Sequence, residues 1–70
     1  MCLSVPGKII SIKENTATLD YGVEKRKAKL ISDDFKIGDY AIVQGGILVI
    51  KVDKKEAIES LKLYQESFKD

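Results

Sequence analysis

The polar and apolar positions along this chain change period near its end. Residues 8–13 read Lys-Ile-Ile-Ser-Ile-Lys, with Ile10 and Ile12 expected on one face and Ile9 on the other, the two-residue repeat of a strand. Leu3 and Val5 extend the pattern towards the N-terminus, with a bend or bulge expected at Pro6-Gly7. Residues 16–21 alternate cleanly, Ala17, Leu19 and Tyr21 against Thr16, Thr18 and Asp20. Glu14-Asn15 supplies the turn between these strands, because asparagine tolerates positive φ. Gly22 breaks the run, and residues 24–30 give a third strand carrying Lys25, Arg26, Lys27 and Lys29 on an exposed side. After a loop at residues 32–39, strands are expected at residues 40–44 and 47–52, joined at Gly45-Gly46. The nearly unbroken apolar run Ile47-Leu48-Val49-Ile50 predicts burial on both faces, under a helix.

From Asp53 the repeat becomes helical. Ala57, Leu61, Tyr64 and Phe68 follow at spacings of four, three and four, which places them in one stripe, with Ile58 on its flank. Asp53 followed by Glu56 reads as a variant capping box. Leu63 falls nearly opposite the stripe, as an ordinary exposed leucine or as a partner contact. Five short strands and one terminal helix predict a mostly β protein, a small closed barrel of OB-like or SH3-like form with a C-terminal α-helix. The expected boundaries are a barrel at about residues 3–52 and a helix at about 54–68 in a single domain.

Composition narrows the chemistry. With 70 residues there is room for one core. The chain has one cysteine and no histidine, so neither a self-contained zinc site nor a Cys-His or Ser-His catalytic pair is available within it. Twelve basic and eleven acidic residues leave a net charge of +1, which gives no general pull to nucleic acid or anionic lipid. No run approaches membrane-spanning length, nothing has the form of a signal peptide, and a lone thiol fits the reducing cytoplasm. The basic strand Lys25 to Lys29 is either a solvated face or, as an alternative function, the binding strip of a small nucleic-acid-binding barrel. Few aromatics and no tryptophan weigh against base stacking.

Cys2 remains as the reactive group. Removal of Met1 would leave an α-amine beside the thiol, and a thiolate is a soft ligand suited to iron. One cysteine cannot complete such a site, so a metal held here is shared with a partner or brings its other ligands. Pro6-Gly7 is either a simple turn or the stiffener of an arm that projects Cys2.

The stretch Met1-Cys2-Leu3-Ser4-Val5-Pro6-Gly7-Lys8-Ile9 closely resembles the N-terminal signature of the HypC/HybG/HupF family of [NiFe]-hydrogenase maturation chaperones. The likeness continues through residues 17–22, through Lys36-Ile37-Gly38-Asp39-Tyr40-Ala41-Ile42-Val43, and into residues 53–63. It implies an OB-like barrel with a C-terminal helix that is not an enzyme. It implies two partners, the iron–sulfur maturation protein HypD and the precursor of the hydrogenase large subunit. It also implies a transient cargo, iron carrying cyanide and carbon monoxide as Fe(CN)2CO, shared with HypD and not tightly bound by the isolated chain. Carried onto this sequence, the family's exposed N-terminal cysteine is Cys2, as iron ligand or partner contact; Leu3, Val5, Pro6 and Gly7 are expected HypD contacts by proximity. The likeness departs at Gln44, where the family commonly has a histidine, and near Ile47, where an aromatic is common. If this chain holds iron, the departure leaves Cys2 to do so without a histidine.

Overall fold

A computed structural model describes residues 5–66 of the chain. Five strands and a helix follow one another as β1 (Gly7–Lys13), β2 (Thr16–Asp20), β3 (Lys25–Lys29), β4 (Tyr40–Gln44), β5 (Ile47–Val52) and α1 (Lys54–Glu66). The sheet closes on itself in the order β1-β2-β3-β5-β4. Every neighbouring pair is antiparallel except β3 and β5, which meet in parallel at Lys29 and Ile47. This arrangement is the five-stranded Greek-key barrel of the OB type, and it removes most of the free strand edge that makes a small sheet aggregate.

The turns follow from local chemistry. Glu14 and Asn15 both adopt positive φ, 50° and 63°, giving the two-residue hairpin whose twist matches the flanking strands. Gly45 and Gly46 repeat the device between β4 and β5. At the β2–β3 corner, Asp20 Oδ1 accepts from the Gly22 backbone N–H at 2.8 Å, and Glu24 O accepts from Tyr21 N at 2.9 Å.

The core consists of Ile9, Ala17, Leu19, Tyr21, Ala28, Tyr40, Ala41 and Leu48, with Ala57 and Leu61 from the helix. The alternation expected of β2 is borne out: Ala17, Leu19 and Tyr21 are all fully buried. Asp53 caps α1, its Oδ2 accepting from Lys55 N at 3.2 Å and its carbonyl from Ala57 N at 2.9 Å. Glu56 adds an acid to the first turn, where the helix dipole favours it.

Two expectations about faces are corrected. In β1, Ile12 joins Ile9 in packing against the core, whereas Ile10 is exposed. The cause is a bulge: Ile9 opposes Leu19 and Ser11 opposes Thr18, so Ile10 is an extra residue and the period shifts by one after it. In β5, burial on both faces does not occur. Leu48 is buried, but Val49 and Ile50 are 41% and 54% exposed. A second bulge accounts for part of this, since Ile42 opposes Ile50 and Val43 opposes Leu48, leaving Val49 unpaired. The helix does not cover these two side chains: Ala57 and Leu61 enter the core, and its C-terminal half reaches the β2–β3 corner. There Tyr64 Oη donates to Glu24 Oε2 at 3.2 Å, and Gln65 Nε2 donates to the Tyr21 carbonyl at 3.3 Å. Within the expected helical stripe, Ala57 and Leu61 are buried and Tyr64 half-buried; Phe68 lies outside the described residues.

Candidate functional site

Two stretches far apart in the chain, Pro6-Gly7-Lys8-Ile9 and Gly38-Asp39-Tyr40-Ala41, meet where β1 and β4 begin. Gly7 opposes Ala41 and Lys8 opposes Tyr40. Beyond that pairing, Ile9 N donates to Asp39 O and Gly38 N to Ile9 O, both at 2.8 Å. Asp39 also turns inward on its own loop, its Oδ2 accepting from Lys36 N at 2.9 Å and lying 3.4 Å from Lys51 Nζ. The loop before β4 is thereby held against the root of the N-terminal segment.

That root is tightly seated. Pro6 and Gly7 are buried and Val5 packs against the core. A Cβ on Gly7 would lie 2.8 Å from Tyr21 Cζ and 3.0 Å from Leu19 Cβ, so only glycine fits between β1 and the Tyr21 ring. The expected bend is present at Val5, just before Pro6, and a regular strand starts at Gly7 with no register shift in its pairing to β4. Their burial makes Pro6 and Gly7 the anchor of the arm and leaves little of either for a partner to touch. Gln44 is exposed at the far end of β4 from the Gly7–Ala41 pairing. Cys2 and Leu3 lie outside the described residues. Leu63 is 69% exposed on α1, far along the chain from the N-terminal segment.

Tyr21 is the residue that sequence reasoning placed correctly but did not recognise as part of this site. Its ring lies under Gly7 and meets Tyr64 edge to face, with centroids 6.3 Å apart. Its hydroxyl is buried without a hydrogen-bond partner among the described residues. Burial pushes that hydroxyl above the ordinary tyrosine range, and nearby Tyr64 and Glu24 push the same way while Arg26 opposes them. Burial and the bond to Glu24 raise Tyr64 as well. Glu24 collects this corner: its Oε2 accepts from Tyr64 and lies 3.1 Å from Arg26 Nη2. The alternation of β2 signalled that Tyr21 points inward, but nothing in it signalled that the hydroxyl would lack a partner. Among the described residues, no group of three or more cysteine, aspartate or glutamate side chains comes together in a way that would hold a metal ion.

The juxtaposed blocks are the ones that carry the family resemblance, and comparison with known proteins agrees. The HupF/HypC family model matches residues 1–64. The chain belongs to the HupF/HypC family. A hydrogenase maturation factor HypC of Helicobacter hepaticus is 36% identical over 69 residues, an alignment covering 94% of this chain and 80% of that one. The HypC of Rhizobium leguminosarum bv. viciae is 38% identical, covering 94% and 91%. That of Cupriavidus necator is 32% identical, covering 94% and 76%. Membership fits the architecture: in this HupF/HypC chain the N-terminal signature is rooted on the Gly-Asp-Tyr strand, within one closed barrel. No helix among the described residues is long and apolar enough to cross a membrane.

Proposed function

We propose that this HupF/HypC protein is a cytoplasmic, non-catalytic assembly chaperone in the maturation of a [NiFe]-hydrogenase. It binds HypD, shares with it an Fe(CN)2CO unit as cargo, and delivers that unit to the precursor of the large subunit. The observation that carries the reading is the joining of the two family blocks: the N-terminal arm emerges from a rigid root on β4, where Gly7 admits no side chain. A fixed exit point restricts where the first residues can reach, so a short arm meets a partner with less ordering entropy to overcome.

Cys2 is the iron-ligating or partner-contacting thiolate in this reading. Thiolate is the softest ligand the chain possesses. Leu3 and Val5 give the arm apolar contact area, Pro6 and Gly7 hold its base, and Leu63 offers a second contact on the helix. With Gln44 in place of histidine, the remaining iron ligands come from HypD and from the cargo's own cyanide and carbon monoxide.

Complementation tests the reading. A host lacking its own copy is supplied with this chain or its Cys2→Ala variant, and hydrogenase activity is measured beside the level of folded protein. The expected outcome is activity with the parent chain and loss of at least about a hundredfold with the variant, at equal abundance. Normal maturation by the variant would overturn the thiol mechanism.

A further inference from the structure

The barrel collects on one outer face lysines that are scattered in the sequence. Cross-strand register places them in rows: Lys8, Asp20 and Lys25; Ser11, Thr18 and Lys27; Lys13, Thr16 and Lys29. Residues directly opposite one another share a face, and Thr16, Thr18 and Asp20 face away from the buried Ala17 and Leu19. Five exposed lysines therefore stand on the β1–β2–β3 face with Asp20 as the sole acid in these rows, a local charge of +4 on a chain whose net charge is +1. Among the described residues none of these lysines lies in an ion pair; the two present involve Arg26 with Glu24 and Lys51 with Asp39.

Folding does not account for this arrangement. Like charges on neighbouring positions of a sheet face oppose each other, and the chain has enough acids to neutralise the rows had they been placed there. The residues between the lysines are Ser11, Thr16 and Thr18, short side chains beside which the longer lysines stand out. No aromatic residue occurs in the rows, so the face lacks the stacking platform on which single-stranded nucleic acid is held. The face also begins with Lys8, one residue after the buried root of the arm. We infer that the β1–β2–β3 face is a docking surface for an acidic protein surface, adjoining the arm and recognised by charge complementarity. The inference does not depend on the identity of the cargo or of the arm's partner.

The test uses the full chain with a fluorescent oligoglutamate peptide and, separately, a single-stranded DNA of matched charge. Anisotropy is recorded at low and high salt, where the Debye lengths are about 30 and 3 Å. The peptide is expected to bind at low salt and release at high salt. Lys27→Glu/Lys29→Glu should weaken it by roughly tenfold or more, Lys27→Arg/Lys29→Arg should preserve it, and Lys54→Glu/Lys55→Glu at the start of α1 should leave it unchanged. Circular dichroism of each variant confirms the fold. Three results overturn the inference: no peptide binding at low salt, equal weakening by the Lys54/Lys55 reversal, or tighter binding of the DNA than of the peptide.

Discussion

Tyr21 joins the arm to the core, and its two ends behave differently. The ring fills the space under Gly7, while the hydroxyl is buried with no partner among the described residues. An unmade buried hydrogen bond costs about 1–3 kcal/mol. Tyr21→Phe keeps the ring and removes that cost, so the variant should unfold in denaturant at an equal or higher midpoint. A loss of stability would show that the hydroxyl is satisfied. The same exchange alters pH dependence. Burial raises the folded-state pKa of Tyr21 above its unfolded value near 10. A raised pKa means that folding favours the protonated, neutral form. The stabilisation is therefore fully present below pH ~10 and is lost as pH rises through the folded pKa. The parent chain should weaken above pH ~10, and Tyr21→Phe should weaken less, leaving Tyr64 as the other tyrosine raised at this corner. Gly7→Ala tests the opposite side of the contact. Its Cβ meets Tyr21 Cζ at 2.8 Å, and crowding of that kind costs roughly 1–3 kcal/mol, measured as a lower unfolding midpoint.

The elements show which sequence signals carried structural information. β2 was legible because every inward position is apolar and every outward one polar, so only one register buries the core. The turns at Glu14-Asn15 and Gly45-Gly46 were legible from residue chemistry. β1 and β5 were less so, because Ile9-Ile10 and Leu48-Val49-Ile50 are apolar on both parities. A bulge slips the period inside each run, and runs without polar markers do not record where that slip occurs. The helix was legible as an element but not in its place. Its stripe fixes which residues turn inward, whereas its docking site depends on Tyr64 and Gln65 meeting Glu24 and Tyr21 across 40 and 44 positions of chain. The two leucines of α1 separate packing from recognition. Leu61→Ala should destabilise by about 2–4 kcal/mol as a buried truncation. Leu63→Ser, at an exposed position, should change stability by less than about 0.5 kcal/mol. If Leu63 is a partner contact, the serine variant should nevertheless bind HypD several-fold more weakly in titration calorimetry; unchanged affinity would remove Leu63 from the interface.

At the scale of the molecule, a small closed barrel seats the root of the N-terminal segment, Val5 to Gly7, against its core. Residues near the two ends of a long stretch of chain, at Gly7 and Ala41, become neighbours only because the sheet closes between β1 and β4. Sequence patterning gave each strand separately, and the family likeness supplied their joint meaning. Neither predicted that Lys8 and Lys13 would complete a basic face with β3, since that face exists only through cross-strand register. The central claim is that the arm presents Cys2 to iron shared with a partner. Its most direct measurement is infrared spectroscopy of the complex with HypD, co-purified without oxygen through a C-terminal tag so that the N-terminus stays free. The account predicts bands of iron-bound cyanide and carbon monoxide in the parent complex and their loss from the Cys2→Ala complex, with HypD still present. The same bands at undiminished intensity in the Cys2→Ala complex would contradict it.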